Sequence, residues 1–330
     1  PSTEQPQAQE GIFQTMQMTD FDGNEVDKSL FEGHRLTMVN IWATFCNPCL
    51  SEMPELGELA AEYAKEEGGV QIIGICTDIT DLSGNTTQEA VDSAKQIVEM
   101  TGAAYPHLIP NDEFMAFLMQ EVPGVPTTFF VDENGEVIDG DFIMAICGLD
   151  MKSRGKLNKD CIVGTIMTNL GFVKCCEANG IHFEATKVGD RYVLEEMLLE
   201  NYSFGGEQSG HVIFRDFATT GDGQLTAAQL LSILKQREAK LSSLKTVMER
   251  YPQTMVNIKV SPEGKLAFHT DPKVKKAIQQ ATATLNGEGR VIVRPSGTEP
   301  LLRVMVEGRD LALIEKLAND ISEVIKEELV

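Results

Sequence analysis

Two cysteines separated by two residues, in Ile41-Trp42-Ala43-Thr44-Phe45-Cys46-Asn47-Pro48-Cys49-Leu50-Ser51-Glu52, form the stretch whose residue types and spacing most directly state a chemistry. That chemistry is thiol–disulfide exchange. The apolar run 36–43 reads as a strand, and a helical pattern starts at Cys46 and continues through 62. A thiolate at a helix N-terminus sits against unpaired N–H groups and the positive end of the helix dipole, which lowers its pKa. Cys46 is therefore expected to be the exposed, reactive thiol. Cys49 falls on the same face one turn deeper, where it can close a disulfide onto Cys46. Pro48 lies early in the helix, where its missing N–H costs nothing. Glu52, three residues past Cys49 on the same face, admits two readings. It is a proton acceptor for the resolving thiol, or an acidic residue favoured there by the dipole alone.

Two further loops carry chemistry. Arg294-Pro295-Ser296-Gly297-Thr298-Glu299-Pro300 lies between two expected strands and offers a guanidinium, two hydroxyls and successive N–H groups around a glycine. That is how an anion-binding nest is built, and Arg303 could add a second fork. A tight hairpin is the plainer alternative. Gly205-Gly206-Glu207-Gln208-Ser209-Gly210-His211 is a glycine-rich loop with an acceptor at Glu207 and a hydroxyl at Ser209, which suits recognition of sugar hydroxyls.

The rest of the chain bounds these sites. At 330 residues it is long enough for two or three domains. A formal charge of −22 argues against nucleic-acid backbones and anionic membranes as partners. No run of eighteen apolar residues occurs, so no membrane span is expected. Residues 1–10 are polar and read as a disordered leader, left by removal of a secretion signal or lipid anchor, or by a tag. Of seven cysteines, Cys76, Cys147 and Cys161 sit in apolar runs and read as small buried hydrophobes, while adjacent Cys175 and Cys176 rarely suit a bridge. Zinc would need a second Cys/His pair at ligand spacing; none is present, so no metal site is expected.

In the first half, a hairpin across Asp22-Gly23-Asn24 precedes the cysteine strand and helix. A buried strand over 70–77, helices over 87–100 and 111–120, a strand over 127–131 and a hairpin at Asn134-Gly135 follow. This is the thioredoxin order. WATFCNPCLSEMPEL followed by GVPTTFFVDENGEVI resembles the thiol–disulfide oxidoreductases of the TlpA/ResA type over roughly residues 10–138. The resemblance implies that Trp42 belongs to the substrate region and that Val125-Pro126 is a cis peptide beside the disulfide. It implies that Val125 offers its backbone to an extended substrate and that Pro126 shapes the groove. It also implies a disulfide-containing protein substrate, an upstream thiol reductant, a location outside the cytoplasmic membrane, and no cofactor beyond the Cys46–Cys49 disulfide. The direction of electron flow depends on the reduction potential.

The second half alternates helix and strand from 142 to 240, as in an α/β domain with a mostly parallel sheet. A small α+β unit follows a linker at 249–254. It resembles the α-D-phosphohexomutase superfamily, in its phosphoglucosamine mutase branch, over nearly all of 139–330. The resemblance implies sugar contacts from Glu207 and Ser209, a phosphate loop of Arg294, Ser296, Gly297 and Thr298, and a further active-site loop at 186–191. A phosphosugar ligand and a cytoplasmic location are implied with it. Full-length mutases of this family carry a phosphoserine in a Ser-His-Asn-Pro context and hold Mg²⁺ in an Asp-Gly-Asp-x-Asp-Arg loop. Neither motif is found here: Asp139-Gly140-Asp141 is followed by Phe142 and Ile143, without the third carboxylate or the arginine. The second half is therefore expected to bind without turnover.

The expected architecture is a disordered leader (1–10), a thioredoxin fold (11–140), an α/β/α phosphohexomutase domain (141–248) and a small α+β C-terminal domain (249–330). The stretch 130–140 fits both families, and the first domain lacks a closing helix unless 142–155 serves it as well. With two families of opposite compartment meeting there, the chain reads as a chimera, which an uninterrupted genomic read across codons 130–142 would refute.

Overall fold

The apolar run before the cysteine pair becomes an interior strand of a seven-stranded sheet in the computed structural model, which describes residues 11–65, 68–80, 86–122, 124–296 and 299–330. The leader at 1–10, Pro123, Gly297 and Thr298 lie outside the described residues. The chain divides into two compact units, residues up to 166 with 184–247, and residues 167–183 with 248–330.

In the first unit, β1 (Gln17–Asp20) and β2 (Glu25–Asp27) form the expected hairpin. The Asp20 carboxylate accepts from the backbone N–H groups of Asp22 and Asn24, and Gly23 supplies the positive φ the turn needs. β3 (Leu36–Trp42) leads into α1 (Asn47–Tyr63), β4 (Val70–Cys76), α2 (Gln88–Thr101), β5 (His107–Ile109), α3 (Asp112–Glu121), β6 (Thr127–Val131) and β7 (Val137–Ile138). The order is β2-β1-β5-β4-β3-β6-β7, with β3 parallel to β4 and antiparallel to β6. All seven residues of β3 are buried, which is why its sequence does not alternate. On one face Phe13 meets the edges of Phe31, Phe114 and Phe129 at ring distances of 5.8, 5.2 and 5.8 Å. The three-residue β5 was too short for any periodicity to announce.

The unit continues with α4 (Gly140–Ser153) and β8 (Cys161–Thr165). α5 (Leu170–Ala178) belongs to the second unit and leads into β9 (His182–Thr186). α6 (Asp190–Leu199), β10 (Phe204–Gly206), β11 (Val212–Phe214), α7 (Gly223–Arg237) and α8 (Leu241–Leu244) complete the series. The sheet order is β11-β10-β8-β9, parallel between β8 and β10 and antiparallel between β10 and β11. Gly205 and Gly206 thus end a strand instead of opening a loop. Both must be glycine: a Cβ at Gly205 would lie 2.6 Å from the Val163 carbonyl, and one at Gly206 2.6 Å from that of His211. The question of a closing helix for the first sheet has an unexpected answer. A cavity of about 50 Å³ is lined by Leu36, Met38, Leu56, Ile72 and Phe130 together with Ala227 and Leu231 of α7. α7, not α4, therefore comes against that face.

The second unit builds β12 (Gln253–Lys259), α9 (Pro262–Ala267), α10 (Pro272–Leu285), β13 (Gly289–Pro295), β14 (Leu301–Gly308) and α11 (Leu311–Leu329) around an antiparallel sheet β12-β14-β13. Ile314, Leu317, Ala318, Ile321 and Ile325 recur at helical spacing on α11 and pack against Leu302, Val304 and Val306. The expected linker at 249–254 is not a loose tether. Tyr251 is buried, its N–H donates to Asn169 Oδ1 and its carbonyl accepts from Asn169 Nδ2, both at 3.0 Å. One buried amide there does what a neighbouring strand would do.

Candidate functional site

The cysteine pair sits where β3 hands over to α1. Cys46 is the N-cap, extended at φ −85° and ψ 94°, and the Cys49 N–H points at its Sγ from 3.2 Å. The two sulfurs are bonded, with Cα atoms 5.3 Å apart. Cys49 has no exposed surface and Cys46 only 5%, so the expected open thiol is mostly covered. Its cover is backbone: the Val125–Pro126 peptide is cis, and the Val125 carbonyl oxygen lies 3.5 Å from Cys46 Sγ. A reduced Cys46 would find a hydrogen-bond acceptor there; the bonded sulfur has no proton to give. Asn47, Pro48 and Pro126 remain exposed around this point, and Phe45 is 75% exposed.

Glu52 is half-buried one turn beyond Cys49. Burial pushes its carboxyl above the ordinary range, and a 2.8 Å hydrogen bond from Asn40 Nδ2 to Oε1 only partly opposes this. Asn40 is fully buried in β3 and its Oδ1 has no hydrogen-bond partner among the described residues. The buried Tyr105 hydroxyl also lacks one, and desolvation followed by the charge of Glu52 raises the phenol.

Trp42 does not belong to a substrate surface. It is fully buried, and its Nε1–H donates to His107 Nδ1 at 3.1 Å while His107 Nε2 meets the Ala103 carbonyl at 3.0 Å. That pairing requires the neutral ring with its hydrogen on Nε2, and burial pushes the imidazole down to about 4.

Sequence reasoning missed Asp78. Its two carboxylate oxygens each accept from the Thr44 N–H at 3.0 Å, Oδ2 also takes the Thr44 hydroxyl, and the Cys76 thiol donates to Oδ1 at 3.2 Å. This carboxylate pins the turn two residues before Cys46. A single acid after an apolar strand gives no signal in a sequence.

The mutase-like loops are described unit by unit. In the first, Glu207 Oε1 accepts from the Gly189 N–H at 2.9 Å, joining the 186–191 loop to the Glu207 loop, while Ser209 is exposed at its tip. The Gly140 N–H donates to the Gln208 carbonyl at 3.0 Å, so the start of α4 supports that loop from beneath. In the second, Arg294 and Arg303 face each other across β13 and β14, and each has a buried Nε without a hydrogen-bond partner among the described residues. Burial, then the charge of Arg303, holds the Arg294 guanidinium below its ordinary range. Arg303 reaches Glu299 at 2.9 Å, and Lys265 Nζ donates to the carbonyls of Ser296 and Glu299. Ser296 is buried, its Oγ accepting from the Glu299 N–H at 3.3 Å. Arg294 of β13, Arg303 of β14 and Lys265 of α9 thus border the Ser296 loop, with Arg303 countered by the Glu299 carboxylate.

Mg²⁺ does not fit the Asp139-Gly140-Asp141 turn. Asp139 caps α4 through the Phe142 N–H at 3.2 Å and Asp141 is fully buried, so the two carboxylates do not converge on an open site. Among the described residues no group of three or more His, Cys, Asp or Glu side chains is placed to hold a metal ion.

Comparison with known proteins divides the chain at the same turn. Residues 11–139 match the AhpC/TSA family. Residues 139–251 match the phosphoglucomutase/phosphomannomutase alpha/beta/alpha domain III, and 255–324 the C-terminal domain of that family. Phosphoglucosamine mutase of Caldanaerobacter subterraneus subsp. tengcongensis is 52% identical over 199 residues, covering 60% of this chain and 44% of its own. That of Brevibacillus brevis is 52% identical over 200 residues, covering 61% and 44%. The chain thus spans 44% of the length of these curated relatives. Crystal structures of Aspergillus fumigatus N-acetylphosphoglucosamine mutase (TM-score 0.58, 14% identity, 88% of this chain and 61% of that one) and of another N-acetylglucosamine-phosphate mutase in its substrate complex (0.56, 17%, 83% and 59%) share the fold. Residues 11–139 form a thioredoxin-like domain of the AhpC/TSA family, followed over 139–251 and 255–324 by domains III and IV of the phosphoglucomutase/phosphomannomutase type.

Proposed function

We propose that the first domain is a disulfide reductase acting through Cys46 and Cys49. The observation that carries this reading is the Cys46–Cys49 bond at the N-cap of α1, against the backbone of Val125 and beside exposed Pro126. In the reduced protein the Cys46 thiolate attacks a substrate disulfide, forming a mixed disulfide and releasing one substrate thiolate. Cys49 gives its proton to Glu52 and attacks Cys46 Sγ, and the second substrate thiolate leaves with the electron pair of the broken bond. Two electrons have moved to the substrate, and an upstream dithiol reductant restores the pair. Val125 and Pro126 border the bound peptide in this scheme. Cys46→Ser should abolish reduction of a model protein disulfide, and Cys49→Ser should stop at a mixed disulfide visible on a non-reducing gel. Intact activity in Cys46→Ser would sink the reading.

A second reading, binding of a sugar phosphate through its phosphate by the second unit, is favoured by Arg294, Arg303 and Lys265 around the Ser296 loop. The residues in hand carry neither the serine nucleophile motif nor the Mg²⁺ loop, so binding without isomerisation is proposed. Calorimetry with glucosamine 6-phosphate should show heat that Arg294→Ala removes; undiminished binding in that variant counts against it.

A further inference from the structure

Asn40 and Glu52 stand on the two elements that flank the cysteine turn, β3 and α1. The amide is fixed within the central sheet, its residue paired with Gly74 on one side and Thr128 on the other. A carboxylate ion can only accept hydrogen bonds, whereas the neutral acid accepts through one oxygen and donates through the other. An amide has one donor end and one acceptor end. Here the donor end, Nδ2, already serves Glu52 Oε1 at 2.8 Å, while the acceptor end, Oδ1, is buried and has no partner among the described residues. An idle buried acceptor costs about 1–3 kcal/mol. Protonated Glu52 carries a donor that the ion lacks, beside an amide with an idle acceptor. The buried Tyr105 hydroxyl, also without a partner, lies within the field of the same carboxyl.

We propose that Asn40 is a positioning residue, matched to the neutral form of Glu52, that lets this carboxyl take and hold the Cys49 proton while the mixed disulfide is resolved. The inference rests on the reductase reading above. In the step concerned, the S–H bond of Cys49 breaks and an O–H bond forms on Glu52. The Cys49 thiolate then forms the bond to Cys46 Sγ, the bond from Cys46 to the substrate sulfur breaks, and the departing thiolate takes up the proton. Glu52 ends as it began.

The full chain, reduced and mixed rapidly with a chromogenic aromatic disulfide, separates the two events: the first thiol released reports attack by Cys46, the second reports resolution. Asn40→Leu and Asn40→Ala should leave the first release within about twofold and slow the second by about tenfold or more, the scale of a displaced catalytic group. Glu52→Gln should slow the second release about 10²-fold, and adding Asn40→Leu to it should slow it no further. The proposal is overturned if both Asn40 variants resolve at the normal rate, or if the double variant shows the product of the two defects. It is equally overturned if both variants lose the cooperative transition of Trp42 emission, which would make the amide a structural element only. Release that persists in Cys46→Ser would instead remove the reductase reading.

Discussion

His107 ties the stability of the cysteine-bearing strand to pH, and the coupling has a definite sign. Both ring nitrogens are engaged, Nδ1 accepting from Trp42 and Nε2 donating to Ala103. A second proton would sit on Nδ1 and face the indole N–H, setting donor against donor. Burial lowers the ring from its ordinary 6.5 to about 4, with the Ala103 bond opposing in part. As pH falls below 6.5 the unfolded chain takes up this proton first, which favours unfolding. The stabilisation is therefore complete above about pH 6.5 and is lost progressively as pH falls towards 4. At 1.36 kcal/mol per unit the loss over that window is about 3 kcal/mol. Trp42 is the single tryptophan, so its emission during urea unfolding reports this region alone. Between pH 7 and pH 4.5 the wild type should lose about 2–3 kcal/mol more than His107→Gln, whose amide can fill both hydrogen bonds but does not titrate. Glu52, raised by burial, works in the opposite direction, but it is present in both proteins and cancels in the comparison. Equal pH dependence in the two proteins would refute the argument.

Two further outcomes follow from packing. Gly140→Ala places a Cβ 2.1 Å from the Glu207 carbonyl and 2.8 Å from the Gly210 N, so it should push the Glu207 loop outward at a cost of about 1–3 kcal/mol. Calorimetric unfolding checks this, and an unchanged transition would count against it. Lys245→Ala removes the cation 2.9 Å from fully buried Asp132. It should destabilise by about 3 kcal/mol, the low end for a broken buried pair, because Asp132 keeps the Asn134 and Glu136 N–H donors. Denaturant titration should show a lower midpoint; an unmoved midpoint would show that the pair contributes nothing net.

Much of the fold was legible because it rests on long patterns. The unalternating run 36–43 and the helical repeat of α11 each encode their burial directly. The short pieces were not: β5 and β10 have three residues each, too few to establish a period, and the glycines of β10 read as loop. At the site, spacing indicated Cys46, Cys49 and Glu52, since one helical turn separates neighbours on a face. Trp42 was misplaced because adjacency in sequence says nothing about which side of a strand faces solvent; in β3 neither side does. Asn40 and Asp78 went unread for a related reason. Their importance comes from partners 12 and 34 residues away, and polar residues in or after an apolar run look the same whether satisfied, idle or clamped.

The turn where the two family matches meet is also tied to a later segment of the first unit. Asp132 and Glu136 of the β6–β7 hairpin hold Lys245, Glu133 takes the Ser242 hydroxyl at 2.7 Å, and the Leu241 N–H donates to the Arg35 carbonyl at 3.0 Å. α7 meanwhile lies against Leu36, Met38, Ile72 and Phe130 on the face of the thioredoxin-like sheet. A helix from the mutase-type domain therefore supplies apolar cover to the sheet that carries the cysteine pair. The hairpin that ends the sheet receives its countercharge from the same later segment. Residue 139 is where the two family matches meet, whereas the packing of this unit runs through it. The chemistry stays local, because the groups that bear on Cys46 and Cys49 (Asn40, Glu52, Asp78, Tyr105 and Val125) all precede that residue. Packing crosses the family boundary, and the redox chemistry does not.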